Sequence, residues 1–313
     1  MSHTRILPAD EAGIAEAAAL IARGLPVAVP TETVYGLAGD ATSGEAVAAI
    51  YAAKGRPSFN PLIAHVTDPD MAARVAILLP AALRLADRFW PGPLTMVLPA
   101  AAGSPIASLA TAGLPSVAVR MPAHPVMRAL IAAIGRPLAA PSANASGSIS
   151  ATRAEHVARS LDGRIPLVLD AGPTAIGIES TIVAVGQDRL RLLRPGSVTA
   201  AMLEEAAGMP VDTADGGSIE APGQMASHYA PSKPVRLSVT VAQPGDYHIG
   251  FGPVIGDASL SPSGDLAEAA ARLFDLLHIA DASDAPAIAI APVPETGLGL
   301  AINDRLRRAA APR

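Results

Sequence analysis

"AAKGRPSFNPLIAHV", residues 52–66, passes from an alanine-rich helix end, through a loop of Gly, Pro, Ser and Asn, into an apolar strand. A helical pattern handing over to a strand pattern across a short polar loop is the unit from which α/β proteins are built. Lys54 in this stretch is one of two lysines in 313 residues, the other being Lys233, so almost every basic residue is an arginine. Placing Lys54 two residues before Arg56 pairs a compact, mobile charge with a fixed, forked one. That combination suits a polyphosphate, although the two also fit a solvated helix C-terminus.

The same alternation extends to both sides. A helix is predicted over 10–23, with Asp10 as N-cap and Gly24 as stop, and a short strand over 25–30. The next helix starts near Thr42, where Thr42 and Glu45 have capping-box spacing, and runs towards Lys54. Strands are predicted at 61–66, 94–99, 116–121, 136–141 and 166–170, followed by a hairpin-like pair at 180–185 and 190–195. Helices fit 69–78, 81–89, 125–134, 153–161 and 200–207. Residues 1–205 therefore read as one α/β domain. Residues 206–234, dense in Gly, Pro, Ser and Asp, read as a linker, with "GQMASHYAP" placing His228 and Tyr229 beside Met225. Beyond it, strands at 234–239, 246–251 and 286–292 alternate with a helix from Asp265 and another over 298–310. In the first of these helices Leu266, Ala270, Leu273 and Leu277 share one face. Residues 235–313 read as a small second α/β domain.

Half the residues are hydrophobic and 16% are charged, which provides for buried cores and argues against disorder. A net charge of -5 excludes a global cationic field for nucleic acid. Without cysteine there are no disulfides, thiolate chemistry or Cys-type zinc sites, in keeping with a reducing compartment. The opening residues do not read as a signal peptide, and no apolar run reaches the ~20 residues of a membrane helix. A cytoplasmic protein is expected. Neither a Walker-type phosphate loop nor the zincin and serine-hydrolase signatures occur. "GFGPVIG" (250–256) has one residue too many for a dinucleotide fingerprint.

Polar residues gather where the predicted strands end: "PTETVYGL" (30–37), "KGRPSFN" (54–60), "APSANASGSISAT" (140–152), "GIEST" (177–181) and "LLRPG" (192–196). In α/β sheets such ends deliver loops to a common crevice. Thr33, Ser142 and Asn144 taken singly are ordinary turn residues, and His65 between Ala64 and Val66 fits a core histidine. Arg120 inside "VAVRM" is harder to place so, because a buried arginine needs an anionic partner.

Together, "VPTETVYGL", "IYAAKGRPSFNPLIAHV", "WPGPLTMVL", "VAVRMP", "APSANASG", "IESTIV" and "LLRPG" resemble, in order and spacing, the YrdC-type domain of threonylcarbamoyl-AMP synthases. "SHYAP" and "GLGLAINDRLRRAA" resemble the longer, two-domain form. The resemblance implies a YrdC-like twisted mixed sheet with an open concave cavity, followed by a Rossmann-like C-terminal domain. The implied reaction joins L-threonine, bicarbonate and ATP into threonylcarbamoyl-AMP and pyrophosphate, with ATP as substrate, Mg²⁺ beside it and no protein-held metal. A separate transferase complex then modifies an adenosine next to the anticodon of tRNAs reading codons that start with A. The domain class also presents a concave surface associated with double-stranded RNA, so at most a weak direct tRNA contact is expected.

Position by position, the resemblance implies that Thr33, His65 and Arg120 bind threonine, with Arg120 on its carboxylate. The Ala140 backbone and Ser180 complete that pocket. Lys54 and Arg56 match the catalytic cations of a K-x-R…S-x-N set, with Ser142 and Asn144, around the ATP phosphates. Asn60, Ser116, Ser150 and Arg194 fall where the family contacts nucleotide, and Tyr229 would fold over the cavity as part of a linker lid. Many linkers of the family read nearer to "PGMKYKHYAP"; here Ala226 and Ser227 replace cations. Two other readings have less support. A carbamoyl-transfer paralogue of the hydrogenase-maturation type would sit in a larger chain with zinc-type cysteines, and a bare RNA-binding module has little to work with in nine aromatic residues and a net negative charge.

Overall fold

The computed structural model describes residues 3–213, 221–222 and 228–312. The chain opens with β1 (Arg5–Pro8), α1 (Glu11–Ala22), β2 (Val27–Val29) and β3 (Gly36–Asp40). There follow α2 (Gly44–Lys54), β4 (Ile63–His65), α3 (Pro69–Val75), α4 (Pro80–Phe89), β5 (Leu94–Pro99) and β6 (Ser116–Arg120). Next are α5 (Pro125–Ile134), β7 (Leu138–Ala139), α6 (Ala154–Leu161), β8 (Leu167–Asp170), β9 (Thr181–Val185), β10 (Leu190–Arg194), α7 (Ala200–Ala207) and β11 (Val211–Thr213). The remainder comprises β12 (Val235–Arg236), β13 (Tyr247–Gly250), β14 (Ala258–Ser259), α8 (Leu266–Ala282), β15 (Ile288–Ile290) and α9 (Gly299–Ala310).

Among the described residues the first eleven strands form one mixed sheet, in the order β1-β8-β2-β3-β7-β4-β6-β5-β9-β10-β11. The last four form an all-parallel sheet, β12-β15-β13-β14, as a Rossmann-like unit requires. One hydrophobic cluster joins α1, α3, α4 and α5 to the large sheet, a second packs α2 and α6 on it, and a third fills the space around α8 and α9. The caps follow local chemistry: Asp10 accepts from the Gly13 amide and Asp265 from that of Glu268. α2 is capped one residue later than its sequence predicts. Ser43 accepts from the Ala46 amide, because Thr42 is taken up by the Asp40 carboxylate. β3, with two glycines and no β-branched residue, carries no strand signature of its own. It forms because β2 and β7 pair with it on either side. β11, in a stretch that reads as linker, pairs in parallel with β10.

Register builds the site. β4 and β6 run parallel with His65 opposite Arg120, which sets two polar side chains at the ends of adjacent strands, about 4.8 Å apart. The "GFGPVIG" stretch starts at the last residue of β13 and covers the turn towards β14. A Cβ at Gly250 or Gly256 would overlap the carbonyls of Val254 or His248, so these glycines serve close backbone approach within the sheet. Gly177 does the same between the two sheets. Its φ is +78°, and a Cβ would overlap the α8 backbone at Ala270 and Ala271. Gly177→Ala therefore combines a left-handed backbone with overpacking. The expected loss is roughly 2–4 kcal/mol of stability, read as a lowered urea-unfolding midpoint.

Candidate active site

A cavity of about 40 Å³ lies where β4, β6 and β10 end, walled by Thr33, His65, Arg120, Ala140, Ser142, Ser180 and Arg194, with Arg56 and Glu179 beside them. Pro222, His228 and Tyr229 line its outer side. Small-molecule sites usually enclose ~300–1,000 Å³, so with these residues in place the cavity is smaller than such sites.

Arg120 is buried and held on three sides. It forms an ion pair with Glu32 at 2.5 Å, and donates to the Thr33 hydroxyl at 3.0 Å and the Gly92 carbonyl at 3.2 Å. An arginine has five N–H donors, so two remain for a further acceptor. Burial raises the Glu32 pKa, but the charge and hydrogen bond of Arg120 outweigh it, leaving the carboxyl below its ordinary value. Thr33 is fixed in turn by the Thr31 hydroxyl at 2.9 Å. His65 bonds the Ile63 carbonyl through Nδ1 at 3.2 Å. Burial, aided by the Arg120 charge, lowers its pKa to about 3, so the ring is neutral at physiological pH.

The other cations are held differently. Lys54 is 2% exposed, and its Nζ donates to the carbonyls of Ser142 and Asn144 at 2.5 Å each. Arg56 donates to the carbonyls of Asn60 and Pro61. Arg194 donates to the Ser180 carbonyl at 3.0 Å and hydroxyl at 3.1 Å. Among the described residues none of the three has a carboxylate within ion-pair distance. Burial pushes the Lys54 pKa well down, with the Arg56 charge adding to the effect, and burial lowers that of Arg56 to about 10. Three buried cations held only by neutral acceptors make a strongly electropositive pocket, a costly arrangement unless an anion occupies it.

Among the described residues several buried polar atoms around this pocket find no hydrogen-bond partner: both side-chain amide atoms of Asn60, Asn144 Oδ1, His228 Nδ1 and the Tyr229 hydroxyl. Tyr229 adopts φ +63°, rare for a non-glycine residue. Its neighbour Ala230 is tied to the Gly147 carbonyl at 2.9 Å, and its ring packs on Phe274 of α8.

A family profile for Sua5, YciO and YrdC proteins, described as telomere recombination, matches residues 19–196. One described as threonylcarbamoyl-AMP synthase, C-terminal domain, matches residues 198–311. The chain is 41% identical over 332 residues to a threonylcarbamoyl-AMP synthase of Bacillus subtilis (strain 168), covering 98% of this chain and 95% of that one. The chain belongs to the threonylcarbamoyl-AMP synthase family. Within the family it is also 40% identical, over 96% of its length, to the synthase of Pyrococcus abyssi (strain GE5 / Orsay). The crystal structure of P. abyssi Sua5 complexed with L-threonine superposes with a TM-score of 0.88 at 38% identity, covering 98% of each chain. E. coli YciO, at 20% identity and TM-score 0.55, shares the fold of the larger sheet.

Of the residues that the family resemblance singles out, Thr33, Arg56, His65, Arg120, Ala140, Ser142, Ser180, Arg194 and Tyr229 meet at this cavity. Lys54 and Asn144 lie one layer behind Ser142, and Ser150 stands behind Glu179, to which it donates at 2.5 Å. Asn60 is buried beside Arg56. Ser116 is not on the cavity wall: it begins β6, four residues or about 13 Å along the strand from Arg120. Ala226 and Ser227 lie outside the described residues. Sequence reasoning missed Glu32 and Glu179, the acids that pair with Arg120 and Arg305. Their only signal was an acidic residue in each of two polar motifs, "TET" and "EST".

The neutral His65 has a consequence for stability. The unfolded chain takes up a proton near the ordinary value of 6.5, whereas the folded chain does so only near 3. Stability is therefore retained above pH ~6.5 and lost as pH falls, by up to ~1.4 kcal/mol per pH unit from this group. Urea unfolding at pH 6.5 and 5.0 should show His65→Gln losing about 2 kcal/mol less than the wild type over that interval.

Proposed function

We propose that the chain is an L-threonylcarbamoyladenylate synthase, converting L-threonine, bicarbonate and ATP to threonylcarbamoyl-AMP and pyrophosphate. One observation carries the reading: among the described residues Lys54, Arg56 and Arg194 are buried at or just behind one cavity with no carboxylate within ion-pair distance, next to polar atoms of Asn60, Asn144 and Tyr229 that find no partner there. Both reactants are anions, so an uncompensated cationic pocket supplies what the chemistry lacks in water.

In this reading Arg120, with its two remaining N–H donors, takes the threonine carboxylate. Thr33, neutral His65, the Ala140 backbone and Ser180 shape the pocket around the rest of the amino acid. Residues Asn60, Ser116, Ser142, Asn144, Ser150 and Arg194 bind ATP, and Lys54 and Arg56 are the catalytic cations. The threonine amine and bicarbonate combine to a carbamate, with loss of water. A carbamate oxygen attacks the α-phosphorus, and the bond to the pyrophosphate oxygen breaks. Lys54, Arg56 and Arg194 stabilise the charge that builds up on the phosphorus oxygens and the leaving group. No side chain acts as nucleophile. Residues 1–205 form the catalytic domain, joined by β11, and the linker beyond β11 supplies the lid, with Tyr229 excluding water from carbamate and mixed anhydride. Residues 235–313 are the second domain.

Mg²⁺, when bound with the nucleotide, would supply charge neutralisation on the phosphates. Both acids nearest the cavity, Glu32 and Glu179, are committed to arginines, so the described residues offer no free carboxylate there and the ion fits as a companion of the nucleotide. The product would pass to a tRNA threonylcarbamoyl transferase complex in the cytoplasm. No helix among the described residues is long and apolar enough to cross a membrane.

Purified protein without tRNA should release pyrophosphate from ATP only when threonine and bicarbonate are both present. Turnover indifferent to threonine would sink the reading. Lys54→Ala should abolish it in a folded protein. Arg120→Gln should raise the threonine KM at least ~100-fold, about 3 kcal/mol, with little change in the ATP KM. Lys54 gives a separate handle. Its low pKa reflects burial without an anion, and a phosphate beside it raises that pKa. Calorimetry in buffers of different ionisation enthalpy should then show proton uptake on ATP binding as pH rises towards the ordinary lysine value of about 10.4, absent in Lys54→Ala.

A further inference from the structure

α9 presents four charged residues to very different surroundings. Arg307 is exposed and pairs with Glu295 on the surface, and Arg308 pairs with Asp304 one turn away. Arg305 is 0% exposed and is the largest fully buried side chain among the described residues. Its Nε donates to Glu179 Oε2 at 2.9 Å and its Nη1 to Asp304 Oδ2 at 2.7 Å. Its guanidinium also stands 5.5 Å from the centre of the Tyr229 ring. The backbone of the same helix takes part as well, since the Arg308 carbonyl accepts the His228 amide at 3.3 Å.

Glu179 is the feature that needs explaining. It is a carboxylate in the wall of a cavity whose other charged groups include Arg56, Arg120 and Arg194. It directly precedes Ser180, which orients Arg194 through both its carbonyl and its hydroxyl. A bare carboxylate there would oppose the binding of any polyphosphate or carbamate, with an energy that low-dielectric surroundings magnify. It would also offer Arg194 a competing partner. Arg305 removes both effects by pairing with Glu179 from behind, while Ser150 satisfies the other carboxylate oxygen.

We infer that Arg305, reaching from the C-terminal helix to the back of the cavity, is a positioning residue for the synthase reaction: it neutralises Glu179 so that anionic substrates bind. This rests on the proposed synthase function, and it gives the second domain a part in the site. The charges Glu179, Arg305, Asp304 and Arg308 alternate in sign and sum to zero, so the device leaves the positive field of Lys54, Arg56 and Arg194 undiminished.

The test compares Arg305→Met, Arg305→Lys and the double variant Glu179→Gln/Arg305→Met in the full chain. ATP affinity is measured by calorimetry, threonine-dependent pyrophosphate release by steady-state kinetics and folding by thermal unfolding. Arg305→Met, which strands the Glu179 charge, should weaken ATP binding at least tenfold. Arg305→Lys and the double variant should both bind ATP within about threefold of the wild type. A purely structural arginine would give a different pattern, in which the double variant is no better than Arg305→Met. Wild-type ATP affinity in folded Arg305→Met, or a tenfold loss that persists in the double variant, overturns the inference. If Arg305→Met does not fold, Arg305→Lys and the double variant decide alone, since a tenfold loss in either is incompatible with charge neutralisation. If the wild type binds ATP without threonine-dependent turnover, the synthase reading falls, and the affinity comparison still decides the role of Arg305.

Discussion

Positive charge kept out of water without being cancelled is the constraint around which the cavity is organised. Lys54, Arg56 and Arg194 are held by carbonyls and a hydroxyl, which fix their geometry and leave their charge available. Neutral acceptors repay only part of the cost of burying an ion. The depressed pKa of Lys54 is the trace of that unpaid remainder. Acids at the cavity are each matched to a dedicated arginine, Glu32 to Arg120 and Glu179 to Arg305, so neither can quench the free cations.

The fold serves this arrangement by bringing strand ends together. Parallel pairing of β4 and β6 sets His65 beside Arg120, and parallel pairing of β5 and β9 brings Thr95 within 2.8 Å of the Ser180 hydroxyl. The loops after β2 and β7 then add Thr33 and Ser142 from the other side. Close backbone contact at Gly177 and the buried Arg305 hold α8 and α9 against this scaffold. Tyr229, with its left-handed backbone and its ring between Phe274 and Arg305, links the linker to both halves. The site thus draws on the C-terminal domain as well as on the large sheet.

Much of this was legible in the chain itself. Alternating apolar patterns and caps such as Asp10 and Asp265 are local chemistry, so the helices and most strands lie close to where periodicity puts them. The polar motifs at strand ends also marked the site, because loops of an α/β sheet converge there whatever their order. Elements that failed the reading were those made by their neighbours. β3, "GLAGD", is a strand because β2 and β7 pair with it, and the α2 cap moved to Ser43 because Asp40 had engaged Thr42.

What residue order settled was therefore the alternation of helix and strand, the gathering of polar loops at strand ends and the family those loops belong to. Each depends on residues close together in the chain. What only tertiary structure decided was partnership: Glu32 with Arg120, 88 residues apart, and Glu179 with Arg305, 126 residues apart. A buried charge is compensated by whatever the fold brings within a few ångströms, and no local pattern in the chain encodes that distance.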